Sequence, residues 1–301
     1  MSAPTRLLYC HCAHAQATPR PAREAALRAL CASGLPLETV DDLCIAAARH
    51  PLELRRLAAS GPLFIAACAP RAVECLFSAA NAPLPKETRF VNLRTATTES
   101  IQEALPKTDA SPSPQMPFQT TWNRLEAPTP EPDGWQGWAP VIDATRCTNC
   151  LQCLSFCLFG VYAAREGKVE VREPAQCKPN CPACARVCPE AAILFPQHPA
   201  EAIHGGTIPG NAAPALPKTD LSALLGGDLY STLRARNGGP RFSPDRSPQA
   251  ALEERRQCLA ALALEGGIPL DVLESLPPPA ELTQRAAQAR AAAQSARQQP
   301  G

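Results

Sequence analysis

Cys147-Thr148-Asn149-Cys150-Leu151-Gln152-Cys153-Leu154-Ser155-Phe156-Cys157 and Cys177-Lys178-Pro179-Asn180-Cys181-Pro182-Ala183-Cys184-Ala185-Arg186-Val187-Cys188-Pro189 decide how the middle of this 301-residue chain folds. In the first run three cysteines recur at every third position and Cys157 follows; in the second Cys177, Cys181 and Cys184 are followed by Cys188. At such spacing one loop wraps the corner of an iron–sulfur cubane, with three neighbouring thiolates on three irons and the fourth iron met from elsewhere in the chain. Zinc is the competing metal, because it takes cysteines in pairs two apart, and Cys147/Cys150 with Cys181/Cys184 would make a four-thiolate site. That choice strands four other thiols, and zinc knuckles present two sulfurs per arm, so the spacing favours iron and sulfide.

Outward from the two runs, Val141–Asp143 and Ile193–Phe195 read as a pair of outer strands, and Val161–Ala163 with Val169–Val171 as a hairpin turning at Glu166-Gly167. Over residues 139 to 200 the two runs, their order and the closing Cys188-Pro189 resemble the bacterial two-cluster ferredoxins. The resemblance implies a ferredoxin-like α+β domain with two [4Fe–4S] clusters and exchanged fourth ligands: Cys147, Cys150 and Cys153 with Cys188, and Cys177, Cys181 and Cys184 with Cys157. Two departures stand out. Leu158 occupies the place of the usual proline after the fourth cysteine, and Cys177 and Cys181 are separated by three residues instead of two, which alters the reach of Cys177. Cys177, Cys181 and Cys184 also have the spacing of radical enzymes that bind S-adenosylmethionine at an open iron. Such enzymes need a substantial barrel around and after the motif, however, and here Cys157 is at hand as a fourth ligand. Phe156, Phe159, Tyr162 and Phe195 are expected to pack round the clusters and keep water away.

Residues 1 to 95 alternate between strand-like and helical stretches, which implies a small parallel sheet. The strand-like runs are Arg6–Cys10, Val40–Ala46, Leu63–Ala67 and Arg89–Asn92. Pro21, Pro51 and Pro70 open helices that stop at Gly34, at Gly61 and near Asn81. Cys10, Cys12, Cys44 and Cys68 then fall at or near the carboxyl ends of the first three strands, the edge where open parallel sheets build their sites. They are candidate ligands of a third iron–sulfur centre or a reactive thiol group; Cys31 and Cys75, inside helices, read as core. Tyr9-Cys10-His11-Cys12, Asp42-Leu43-Cys44 and Ala67-Cys68-Ala69-Pro70-Arg71 before Leu76-Phe77 resemble the amino-terminal part of the A subunit of heterodisulfide reductases. In that family the segment precedes a flavin-binding domain, and its cysteines are associated with an additional cluster. No Gly-x-Gly-x-x-Gly follows a strand here, so neither a flavin nor a nicotinamide motif is read.

Between the two domains, residues 96 to 138 are rich in Pro and Thr and read as a linker, with Trp122, Trp135 and Trp138 expected to dock on a neighbouring domain. Residues 201 to 301 read as a partly helical, partly disordered tail. One helix there is capped by Ser247 and Pro248, has Leu252, Leu259 and Leu262 on one face, packs Cys258, and stops at Gly266. The fold class is thus α/β plus α+β: a small parallel-sheet domain, a linker, a two-cluster ferredoxin-like domain and the tail.

A formal charge of +1 offers no basic stripe for nucleic acid. No apolar run approaches the eighteen or so residues of a membrane span, and no signal-like start is read. Fifteen cysteines in such a chain fit metal ligation in a reducing cytoplasm. The expected role is electron transfer, as an accessory subunit or shuttle for a redox protein or oxidoreductase complex rather than an independent enzyme. The alternatives are a redox enzyme or sensor whose amino-terminal thiols are fed by the ferredoxin module, and a scaffold whose clusters only hold the fold.

Overall fold

Strand β1 (Arg6–Cys10) is buried along almost its whole length and pairs in parallel on both sides, with β2 (Leu37–Val40) and with β3 (Leu63–Ala67). β4 (Arg89–Asn92) adds to β3, so the sheet order is β2-β1-β3-β4, all parallel. The computed structural model describes residues 6–15, 18–106, 131–206 and 244–266. Parallel strands need crossovers, and helices α1 (Arg20–Ala32), α2 (Leu43–Arg49), α3 (Pro51–Ala59) and α4 (Pro70–Ala79) supply them. The period-2 alternation of the strands divides the core. Leu7, Tyr9, Phe64 and Ala66 face α1, whereas Leu8, Cys10, Ile65 and Ala67 face α2, α3 and α4.

The second strand and its neighbour differ from the sequence expectation. Val40–Ala46 does not continue as a strand: the chain leaves the sheet at Val40, and Asp42 accepts a hydrogen bond from the Cys44 amide at 2.8 Å to cap α2. Local capping chemistry outweighs the β-branched character of Val40 and Ile45. The first domain also runs beyond residue 95. Helix α5 (Thr98–Ala104), closed by a reciprocal Thr97/Ser100 capping box, packs on α1 with Ile101 buried in the same core as Leu27 and Leu30.

In the second domain β5 (Val141–Ile142) pairs antiparallel with β8 (Ile193–Leu194). The hairpin β6 (Tyr162–Arg165) and β7 (Lys168–Val171) turns at Glu166 and Gly167, both with positive φ as a two-residue primed turn requires. Short helices α6 (Gln152–Phe156), α7 (Ala183–Val187) and α8 (Glu201–His204) complete it.

The two domains share core and hydrogen bonds. Val141 and Leu194 belong to the same apolar cluster as Cys10, Leu43 and Val73. Arg71 donates to Asp143 Oδ2 and to the Ala191 carbonyl, each at 2.7 Å. Arg94 donates to the carbonyls of His198 and Pro196. Gly137 is needed at this seam: with φ +75 and a Cβ that would meet Ile45 Cγ1 at 2.8 Å, no side chain fits. The segment before β5 docks as the tryptophans suggested. Trp138 is buried and stacks on Phe195 at 5.3 Å, Trp135 lies under the Arg49 guanidinium at 5.0 Å, and Trp122 lies outside the described residues.

Helix α9 (Pro248–Glu265), capped by Ser247, packs on α7. Ala251 and Cys258 are buried on its docked face and Leu252 packs beside them against Phe156, Ala183 and Val187, whereas Leu262 is exposed, so the leucine face read from sequence docks at Leu252 and not at Leu262. Just before it, buried Arg246 donates to the carbonyls of Ala202, Ala185 and Ile193 at 2.7, 2.5 and 3.1 Å. Those three bonds lock the tail to the second domain.

Candidate functional site

The loop Cys147–Cys153 is shaped by its ends and by two residues in the left-handed region, Asn149 (φ 55) and Leu151 (φ 58). The Asp143 carbonyl accepts from the Cys147 amide at 2.9 Å, and Asn149 Oδ1 accepts from the Val169 amide at 3.0 Å, which ties the loop to the hairpin. Cys147, Cys150, Cys153 and Cys188 line one hollow, walled by Ile142, Leu151, Val169 and Ile193. The Ala192 amide points at Cys188 Sγ at 3.3 Å, an amide-to-sulfur hydrogen bond of the kind that sets cluster potentials. Burial pushes the thiols of Cys147, Cys153 and Cys188 up, so each would be protonated until a metal takes the place of the proton.

The second hollow is lined by Cys157, Cys177, Cys181 and Cys184 together with Phe156, Phe159, Val161 and Tyr162. The extra residue between Cys177 and Cys181 is absorbed by a turn: the Cys181 amide donates to the Lys178 carbonyl at 3.2 Å, and Asn180 takes φ 60. Cys177 therefore still faces the hollow. Burial pushes Cys181 up to about 11 and raises Cys177 and Cys184 as well. Tyr162 lines this hollow and donates to Cys184 Sγ at 3.1 Å.

Each hollow is rimmed by thiols from both cysteine runs and otherwise by apolar side chains, a donor set of the kind that holds iron–sulfur clusters.

In the first domain Cys10 ends β1, Cys12 follows with φ 49, and Cys68 follows β3. The sheet order reverses between β1 and β3, so these thiols flank the topological switch point. Cys44 joins them from the first turn of α2 rather than from a strand end. The Cys10 and Cys12 sulfurs are 3.4 Å apart, and the Leu43 amide donates to Cys10 Sγ at 3.4 Å. Burial pushes Cys68 up to about 12, helped by the charge of Cys10; burial, then Asp42, Cys68 and Cys10, raises Cys44. The hydrogen bond with Cys10, then burial, raises Cys12. Arg94 stands beside this group: burial lowers its pKa, opposed by the charges of Cys68, Cys12 and Cys44. No local sequence pattern announced Arg94.

Thiol-rimmed hollows joined to a two-strand edge and a tight hairpin are features of iron–sulfur proteins of the ferredoxin kind. A 60-residue segment of the chain is 53% identical to an uncharacterized ferredoxin of Methanocaldococcus jannaschii; it makes up 20% of this chain and 41% of that protein. The chain thus carries a ferredoxin-like segment and spans about two fifths of the length of that relative. No family model matches the chain, and no solved structure matches it. Among the described residues no helix is long and apolar enough to cross a membrane.

Proposed function

We propose that this chain is an electron-transfer protein with two [4Fe–4S] clusters, one held by Cys147, Cys150, Cys153 and Cys188, the other by Cys157, Cys177, Cys181 and Cys184. The observation that carries the reading is the three-plus-one grouping of the eight motif thiols, in which the last cysteine of each run lines the other run's hollow. When bound, the clusters supply one-electron centres whose potentials depend on hydrogen bonds to sulfur and on exposure. The residues of the chain hold and screen them: Phe156 and Tyr162 are buried in the lining of the second hollow, where they exclude water. The partner is a redox protein or oxidoreductase complex to which this chain serves as subunit or shuttle. Fifteen free thiols suit a reducing compartment such as the cytoplasm. Anaerobically prepared protein should contain about eight irons and eight sulfides in residues 139–200, with a broad absorption that bleaches on reduction. Stoichiometric zinc without sulfide would sink the reading.

The resemblance of residues 1–95 to the heterodisulfide reductase segment supports a third iron–sulfur centre on Cys10, Cys12, Cys44 and Cys68. The 3.4 Å separation of the Cys10 and Cys12 sulfurs favours a second reading, a redox-active thiol pair acting as enzyme or sensor. Replacing Cys68 by Ala in the full chain separates them. Iron and sulfide in excess of the ferredoxin complement should disappear under the first reading, while under the second the iron stays constant and thiol titration changes.

A further inference from the structure

Cys258 comes from α9, far from both cysteine runs, yet it borders the same hollow as Cys157, Cys177, Cys181 and Cys184. The second hollow therefore has five thiols for four irons. The helix that brings Cys258 there is fixed in roll. Arg246 anchors its approach through three carbonyls, Arg186 pairs with Glu254 at 3.0 Å, and Arg255 donates to the Phe156 carbonyl at 3.1 Å. Cys258 is buried, Lys178 Nζ lies 3.4 Å from its sulfur, and Cys181 lines the same hollow. The inward position one heptad earlier, which only packs, is filled by Ala251. A thiol bordering a four-thiol hollow, beside a lysine, has metal-binding chemistry that alanine lacks.

We propose that Cys258 is a fifth thiol ligand of the second cluster site, interchangeable with Cys181 at one iron. The inference rests on the two-cluster reading. The exchange is balanced without any oxidant: the bond from iron to Cys181 sulfur breaks, a bond to Cys258 sulfur forms, and the proton leaving Cys258 passes to Cys181. Neither iron nor sulfide changes oxidation state. Cys177 has no such substitute: it is buried in the core with Trp138 and Tyr162, whereas Cys181 packs with Ala251 and Leu252 of α9.

The full-length protein, prepared anaerobically, tests this by iron and sulfide content and by the electron paramagnetic resonance of the reduced clusters. Cys181→Ala and Cys258→Ala should each keep the wild-type iron and sulfide. The double variant should lose about four of each while the first cluster's signal survives, as should Cys177→Ala alone. Loss of the second cluster in Cys181→Ala as complete as in the double variant overturns the proposal. Should Cys181→Ala fail to fold, Cys258→Ala serves: it should release iron to a chelator several-fold faster than wild type, and an unchanged rate overturns the proposal. Wild-type protein without iron and sulfide would overturn the two-cluster reading itself, a result distinguishable from failure of Cys258 alone.

Discussion

The two domains gather thiols in opposite ways. In the ferredoxin-like segment six of the eight motif thiols lie in two short loops, and only the exchange of Cys157 and Cys188 requires the fold. In the amino-terminal domain Cys10 and Cys12 come from the end of β1, Cys44 from α2 and Cys68 from the end of β3, so nothing but the sheet brings them together. A site written in local spacing survives loosening of the tertiary structure better than one written in topology. The seam between the domains, with Arg71 and Arg94, should therefore matter more to the second kind.

The largest expected effect tests the local site. Cys188→Ala should abolish the signal of the cluster on Cys147, Cys150 and Cys153, and Cys157→Ala that of the other, as read by spectroscopy of the reduced proteins. Loss of the same cluster in both variants would break the assigned exchange. Next comes Arg246→Met. Removing a buried cation that serves three carbonyls should cost about 3 kcal/mol, measured by denaturant unfolding, and should speed iron loss from the ferredoxin-like domain. Arg71→Met cuts the bonds to Asp143 and Ala191 and should cost about 2 kcal/mol. Burial pushes the Asp143 carboxyl up, but Thr145 and Arg71 outweigh it and hold it below the usual range, so its partner is lost, not its charge. If the contrast between the domains holds, this variant should expose Cys10, Cys12, Cys44 and Cys68 to alkylation before the motif cysteines.

The smallest effect is acid sensitivity. Burial, aided by nearby arginines, lowers His11, His198 and His204 from 6.5 to about 4. Between those values the unfolded chain binds protons that the folded chain refuses, so stability falls as pH drops through about 6.5 to 4 and is unaffected by these groups above that window. His11 lies by the amino-terminal thiols, and the charge of Arg94 reaches both His198 and His204 at the seam. Denaturation midpoints measured across the window should decline, and a flat profile would remove the histidines from the argument.

What could be read from the sequence follows the same division. The cysteine runs, the hairpin at Glu166-Gly167, and strands Arg6–Cys10, Leu63–Ala67 and Arg89–Asn92 are local patterns, and the structure has these strands and the turn at those residues. Strand β2 was displaced because Val40 and Ile45 suggest a strand, whereas Asp42 starts a helix between them. Helix α5 was hidden inside a Pro/Thr-rich stretch, and its only large buried anchor is Ile101. Cys258 read as a packing residue because the other thiols of the hollow it borders, Cys157, Cys177, Cys181 and Cys184, all lie more than seventy positions earlier. Arg94 and Arg246 carried no pattern at all, because a long flexible cation finds its carbonyls only after the backbone is in place.

Helix α9 forms one wall of the second hollow, through Arg255 and Cys258, and it follows all eight motif cysteines in the chain. During synthesis the eight motif cysteines consequently emerge before the helix that walls the hollow, which stays open on that side until Arg246 finds its three carbonyls and seats the tail. The order of the chain becomes an order of assembly, the thiols of the two runs first and their wall afterwards.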